Sequence, residues 1–167
     1  VYPVSDNMVV HTNTPAIRET RKAVVELLLA NHPQECLTCQ KNQDCELQAL
    51  AADLGIREIP YTGEKRNALK DRDNPSLVRD PNKCILCGRC IRACHERQGL
   101  DVYAFVNRGF KTLVEPAFGL GLGDAVCTLC GQCAAVCPTA AICEKDDTEK
   151  VFAALADKEK YTIVQTA

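Results

Sequence analysis

Apolar positions along this chain come in short clusters that change period from one segment to the next. After Thr14, the residues Ile17, Val24, Leu27 and Leu28 share one face at helical spacing. The Thr14-Pro15 pair opens that run with a hydroxyl cap and then proline at the first helical position, where its missing N–H costs nothing. Asn31-His32-Pro33 ends it. A second helix is predicted after Cys45, because Leu47, Leu50, Ala51 and Leu54 recur at i, i+3, i+4 and i+7 and Gly55 supplies the stop. Positions 59–74 are polar, carry Pro60, Gly63 and Asn67, and read as a linker. The period then shortens to two: 102–106 and 111–114 alternate around Asn107-Arg108-Gly109, a hairpin signal. A last helix over 147–156 is opened by Asp146 with Glu149 three residues on, and 161–165 reads as a terminal strand. Near the start, Met8 to His11 forms a short extended stretch.

These elements have little with which to build a core. Aromatic residues make up 5% of the chain, tryptophan is absent and there is one methionine, yet there are 12 cysteines. Nothing resembles a secretory leader, and the C-x2-C clustering is wrong for a framework of long-loop disulfides, so the expected setting is reducing and cytoplasmic. Bound metal then has to supply much of the folding energy, and the metal-free chain is expected to be largely unfolded. The formal charge of −2 with well-mixed signs argues against nucleic acid as a partner. No apolar run approaches the roughly 20 residues that cross a bilayer.

The cysteines carry the chemistry. Cys84, Cys87, Cys90 and Cys94 form one C-x2-C-x2-C-x3-C run, and Cys127, Cys130, Cys133 and Cys137, closed by Pro138, form another. The two copies share Leu86/Leu129 and Gly88/Gly131, which marks an internal duplication. This is the bacterial spacing for a pair of [4Fe–4S] clusters, in which the fourth cysteine of each run ligates the other run's cluster. Cys84, Cys87, Cys90 and Cys137 are therefore assigned to one cluster, and Cys94, Cys127, Cys130 and Cys133 to the next. Zinc also uses C-x2-C pairs, but gains nothing from a third cysteine at the same interval. Cys90 and Cys94 straddle a short helix, which puts the two clusters about 10–12 Å apart, on the order of a helix diameter. Upstream, His32, Cys36, Cys39 and Cys45 make a third set, open on spacing alone to iron–sulfur or to zinc. Cys143 reads as a small apolar strand residue, and His11 and His95 as surface or packing residues. The expected fold class is α+β: a small helical unit with a one-histidine, three-cysteine cluster site, then an elaborated bacterial two-[4Fe–4S] ferredoxin fold of duplicated βαβ type.

From His32-Pro-Gln-Glu-Cys36-Leu-Thr-Cys39 through both cysteine runs, the chain resembles the accessory iron–sulfur region of multi-cluster [FeFe]-hydrogenases. It is also similar to regions of the large iron–sulfur subunit of complex I and of NAD-linked formate dehydrogenases, and the tail Thr162 to Ala167 favours the hydrogenases. The resemblance implies an order of units: 1–13 as the tail of a truncated [2Fe–2S] domain, 14–59 as a His-ligated cluster domain, 60–75 as linker, 76–145 as the two-cluster domain, and 146–167 leading toward a catalytic domain. It implies three [4Fe–4S] clusters here, with the [2Fe–2S] and hydrogen-activating clusters expected only in flanking regions. The implied function is electron relay in reversible H2 oxidation. The implied partners are a catalytic domain in cis and flavin/NAD(P)-binding and small iron–sulfur subunits, or ferredoxin. A free-standing ferredoxin-like carrier and a zinc-stabilised interaction module are the alternatives.

Overall fold

The computed structural model describes residues 2–165. Its first half is helical. Helix α1 spans Pro15–Asn31, with the Thr14 hydroxyl accepting from the Ile17 N–H, and α2 spans Glu46–Asp53, stopped by Gly55 at φ 65°. Both helices start and end where the sequence places them. The buried face of α1 differs: Val25 is 6% exposed and packs with Leu28 and Leu29 on Leu47 and Ile56, whereas Val24 and Leu27 are more than half exposed. The run Val24-Val25-Glu26-Leu27-Leu28-Leu29 offers two overlapping apolar stripes, and the two-turn α2 covers only one of them.

The second half is built on short strands. Strand β1 (Leu77–Arg79) precedes the first cysteine run, and pairs antiparallel with β4 (Ile142–Glu144), which follows the second, with Val78 opposite Cys143. The hairpin lies between the runs as β2 (Ala104–Val106) and β3 (Leu113–Glu115), also antiparallel. Its connection contains Asn107 at φ 59° and Gly109 at φ 60°, the left-handed positions that a tight reversal needs. The third cysteine of each run, Cys90 or Cys133, sits within a short helix, α3 (Arg89–Ala93) and α4 (Gln132–Ala135). α3 continues into one π turn, Cys94–Gln98. This is the mixed helix and small-sheet class that the sequence predicts. The core that joins the pieces comprises Leu77, Cys94, Val102, Tyr103, Val114, Leu122, Cys133 and Ile142, so cysteine sulfurs take the place of aliphatic bulk.

Residues 60–75 have no helix or strand of their own, yet they are tied down at several points. Arg66 donates to the carbonyls of Pro81 (3.1 Å) and Cys84 (2.9 Å), and its N–H to Asn31 Oδ1 (2.8 Å). Asp71 forms a backbone bridge with Arg79, and its buried carboxylate accepts from the Leu122 N–H at 2.9 Å. The segment is thus a strap across both halves.

Helix α5 (Thr148–Ala156) begins where Asp146 accepts from the Thr148 N–H at 2.9 Å. The terminal strand does not form. Residues 161–165 are irregular, with Tyr161 91% and Val164 84% exposed, because an alternating segment without a neighbouring strand has nothing to bond to. The same holds for Met8 to His11, which is irregular and exposed. Thr166 and Ala167, part of the hydrogenase-like tail, lie outside the described residues.

Candidate metal centres

All twelve cysteines are free thiols. The loop Cys36–Thr38, the turn to Cys45 and the end of α1 form a partly open pocket whose walls include His32, Cys36, Cys39 and Cys45. The histidine is the informative member. Its Nδ1 lies 2.9 Å from the Pro33 carbonyl, which can only accept, so Nδ1 carries the proton. Burial, and secondarily the charge of Lys83, hold its pKa below the usual imidazole range, so the ring is neutral and Nε2 is left with a bare lone pair. That Nε2 is buried and has no hydrogen-bond partner. A ligating histidine characteristically donates its other N–H to a backbone carbonyl in this way, and an orphaned buried acceptor is costly unless something binds it.

A second pocket is lined by Cys94, Cys127, Cys130 and Cys133 together with Val102 and Tyr103. Cys94, from the end of the first run's helix, therefore faces three cysteines of the second run. The remaining four sense one another electrostatically. Burial raises the Cys90 thiol to about 12, and the neighbours that add to the rise are Cys84, Cys137 and Cys87. Cys84 is raised by burial too, with Cys137 and Cys87 contributing. Among the described residues no three His, Cys, Asp or Glu side chains converge on a point the size of one ion. The cysteines line pockets instead, and a coordinating metal would hold them as thiolates.

Local backbone explains how the loops are shaped. Leu86 and Leu129 occupy equivalent places in the two runs, with φ of 56° and 54°, a region that branched side chains enter only when the surroundings compel it. In both, the leucine N–H donates to the sulfur two residues back, Leu86 to Cys84 and Leu129 to Cys127, each at 3.4 Å. Gly88 and Gly131 follow in the left-handed region and turn the chain into α3 and α4. The duplication visible in the letters is therefore also a duplication of strain and of N–H···S contacts.

Several neighbours of these sulfurs carried no signal in the sequence. The Tyr103 hydroxyl, 3% exposed, lies 3.7 Å from Cys133 Sγ, and burial and then that sulfur push its pKa up, so it stays protonated. Lys83 Nζ lies 3.8 Å from Cys39 Sγ. Thr139, 1% exposed, donates to the Lys83 carbonyl at 2.8 Å. The first half is docked on the second beside Cys137: the Glu46 N–H donates to the Pro138 carbonyl at 3.0 Å, and Arg89 holds the Glu46 carboxylate with two bonds. Cys143 is a buried strand residue, 4% exposed, as expected from its setting. His95 is exposed and bonds to Asp101 at 2.8 Å.

A small fold that groups its cysteines around pockets in this way suits the class of iron–sulfur proteins of the ferredoxin type. Comparison with known families gives the two halves separate identities. Residues 21–60 match the NADH-ubiquinone oxidoreductase-G iron-sulfur binding region, and residues 83–141 match the 4Fe-4S dicluster domain. Among curated relatives, the NADP-reducing hydrogenase subunit HndD of Solidesulfovibrio fructosivorans is 49% identical over 99% of this chain and 28% of its own length. The NADH-ubiquinone oxidoreductase 75 kDa subunit of Reclinomonas americana is 33% identical over 77% of this chain and 19% of its own. The fold matches an NAD+-reducing [NiFe]-hydrogenase structure with a TM-score of 0.74 and 30% identity, covering 80% of this chain and 57% of that one. This chain is thus related to the iron–sulfur regions of hydrogenases and of complex I-type subunits, and spans under a third of the length of those curated relatives. No helix among the described residues is long and apolar enough to cross a membrane.

Proposed function

We propose that the chain is the electron relay of an [FeFe]-hydrogenase subunit, holding three [4Fe–4S] clusters. His32, Cys36, Cys39 and Cys45 hold the first, Cys84, Cys87, Cys90 and Cys137 the second, and Cys94, Cys127, Cys130 and Cys133 the third. The observation that carries this reading is the buried Nε2 of His32, deprotonated and unpartnered in the wall of a cavity that it shares with three cysteines. The convergence of Cys94 with the second run supports the cross-ligated pair. On this reading 14–59 is the His-ligated unit, 60–75 joins it to the two-cluster unit at 76–145, the latter is a duplicated βαβ, and 1–13 and 146–167 lead into flanking domains.

Each cluster supplies one-electron exchange without atomic rearrangement. The chain's own residues hold the sulfurs, exclude water and set the local charge. Leu86 and Leu129 present N–H groups to Cys84 and Cys127, and Tyr103 presents its hydroxyl to Cys133. Glu46, Arg89 and the Pro138 carbonyl fix the first unit against the second, which shortens the path between them. The neutral imidazole of His32 replaces a thiolate and removes one negative charge, which favours the reduced state of the first cluster, as histidine ligation does in Rieske centres.

The intact enzyme would oxidise H2 reversibly in a reducing cytoplasm. Its electrons would pass to ferredoxin or to a flavin/NAD(P)-linked partner subunit, with the catalytic domain in cis. A relay in a complex I-like subunit is the second reading, supported by the match of residues 21–60. Reduction by H2 separates them. In the complete polypeptide, H2 should bleach the visible absorbance of these clusters and reduce an NAD(P)-linked acceptor, whereas bleaching by NADH alone would transfer the relay to the complex I type.

A further inference from the structure

We propose that Lys83 is a positioning residue that raises the reduction potential of the His32-site cluster through its charge beside Cys39. This rests on the reading of His32, Cys36, Cys39 and Cys45 as a cluster site. Lys83 Nζ is 3.8 Å from Cys39 Sγ and the side chain is 13% exposed. Its backbone is fixed: the Lys83 N–H donates to the Asp80 carbonyl at 3.1 Å, and its carbonyl accepts from the buried Thr139 hydroxyl at 2.8 Å. The residue ends the short turn Pro81–Lys83 that delivers Cys84, so a lysine belonging to the second unit reaches into the wall of the first unit's cavity.

Two lysines line that cavity, and their charges are not equivalent. Lys41 is matched at 2.9 Å by Asp44. Lys83 has Glu35 as its counter-ion, at 3.9 Å and 59% exposed, so water screens the carboxylate more than it screens the ammonium. The excess positive charge is therefore at Lys83. Reduction adds one negative charge to the cluster, and a partly desolvated cation close to a ligating sulfur stabilises that state over the oxidised one.

The test is a redox-poised EPR titration of the anaerobically purified full chain carrying Lys83→Met, Lys83→Arg or Glu35→Gln. The signal of the His32 site is identified as the one lost in Cys36→Ala. Methionine keeps most of the stem and removes the charge, so its midpoint should move to more negative potential. Arginine should stay close to wild type. Glu35→Gln, at an exposed carboxylate, should move the midpoint the other way. The cluster of Cys94, Cys127, Cys130 and Cys133 should shift least in all three. An unchanged midpoint in Lys83→Met with iron and sulfide at wild-type content would overturn the inference, as would equal shifts in Met and Arg, which would mean a packing role. Wild-type protein with no iron at the His32 site would instead refute the ligand reading on which the inference stands.

Discussion

Asp71→Ala isolates the strap's contribution to holding the second cysteine run. Asp71 and Arg79 are 7% and 8% exposed and approach to 3.7 Å, and the Asp71 carboxylate also accepts from the N–H of Leu122, itself 1% exposed. Removing one member of a buried ion pair costs about 3–5 kcal/mol, because the other charge stays buried. Arg79 keeps Glu115 at 3.8 Å and the Val114 carbonyl at 3.2 Å, which places its loss at the lower end, about 3 kcal/mol. The stranded Leu122 N–H adds about 1 kcal/mol. Cluster loss makes unfolding irreversible, so the quantity to measure is a rate. If these contacts break before the unfolding transition state, a total of about 4 kcal/mol corresponds to roughly 1,000-fold faster unfolding. Anaerobic stopped-flow in guanidinium, following cluster bleaching and far-UV circular dichroism together, reads it directly. Asp71→Asn retains an acceptor for Leu122 but still leaves Arg79 without its anion, and should lose about 3 kcal/mol. An Asp71→Ala chain that bleaches within threefold of the wild-type rate would refute the claim that the strap is structural.

Three further outcomes are expected. Gly123→Ala should destabilise by about 1–3 kcal/mol, because a Cβ there collides with the Asp73 backbone carbonyl of the same strap; denaturant melts check it. Tyr103→Phe removes the hydroxyl beside Cys133 and should lower the midpoint of that cluster by about 40 mV, the one-electron equivalent of a hydrogen bond of about 1 kcal/mol, with iron content unchanged. Reconstitution of metal-free chain should release protons, because thiols of ordinary pKa are neutral at pH 7 and bind metal as thiolates. A pH-stat at pH 7 should record this, and assembly should accelerate as pH rises; pH-independent uptake without proton release would contradict it.

The helices were legible because their signals are local. Thr14-Pro15 and Gly55 act within one turn of themselves where expected, whereas Asp146 sits one residue before the N-cap, Asp147, and bonds the Thr148 N–H without the expected partnership with Glu149. The two cysteine runs were legible for a similar reason: a repeated ligand spacing encodes a repeated loop, down to the paired positive φ of Leu86 and Leu129. What escaped depends on contacts between distant segments. The buried stripe of α1 is chosen by which surface α2 covers, and alternation at 161–165 makes no strand without a partner. Positions 60–75 read as linker because their composition is polar, yet Arg66 and Asp71 satisfy donors and acceptors from both halves. Lys83 and Tyr103 reach their sulfurs across 44 and 30 residues of sequence, beyond any periodic pattern.

Metal and acid-labile sulfide analysis of the anaerobically purified chain, with Mössbauer spectroscopy on iron-57 material, tests the three-centre relay most directly. The account predicts about 12 iron and about 12 sulfide per chain, all as [4Fe–4S], falling by about four of each when His32, Cys36 or Cys39 is replaced by alanine. About eight iron with one zinc would replace the first centre by a structural ion, and a colourless protein free of sulfide would contradict the relay altogether.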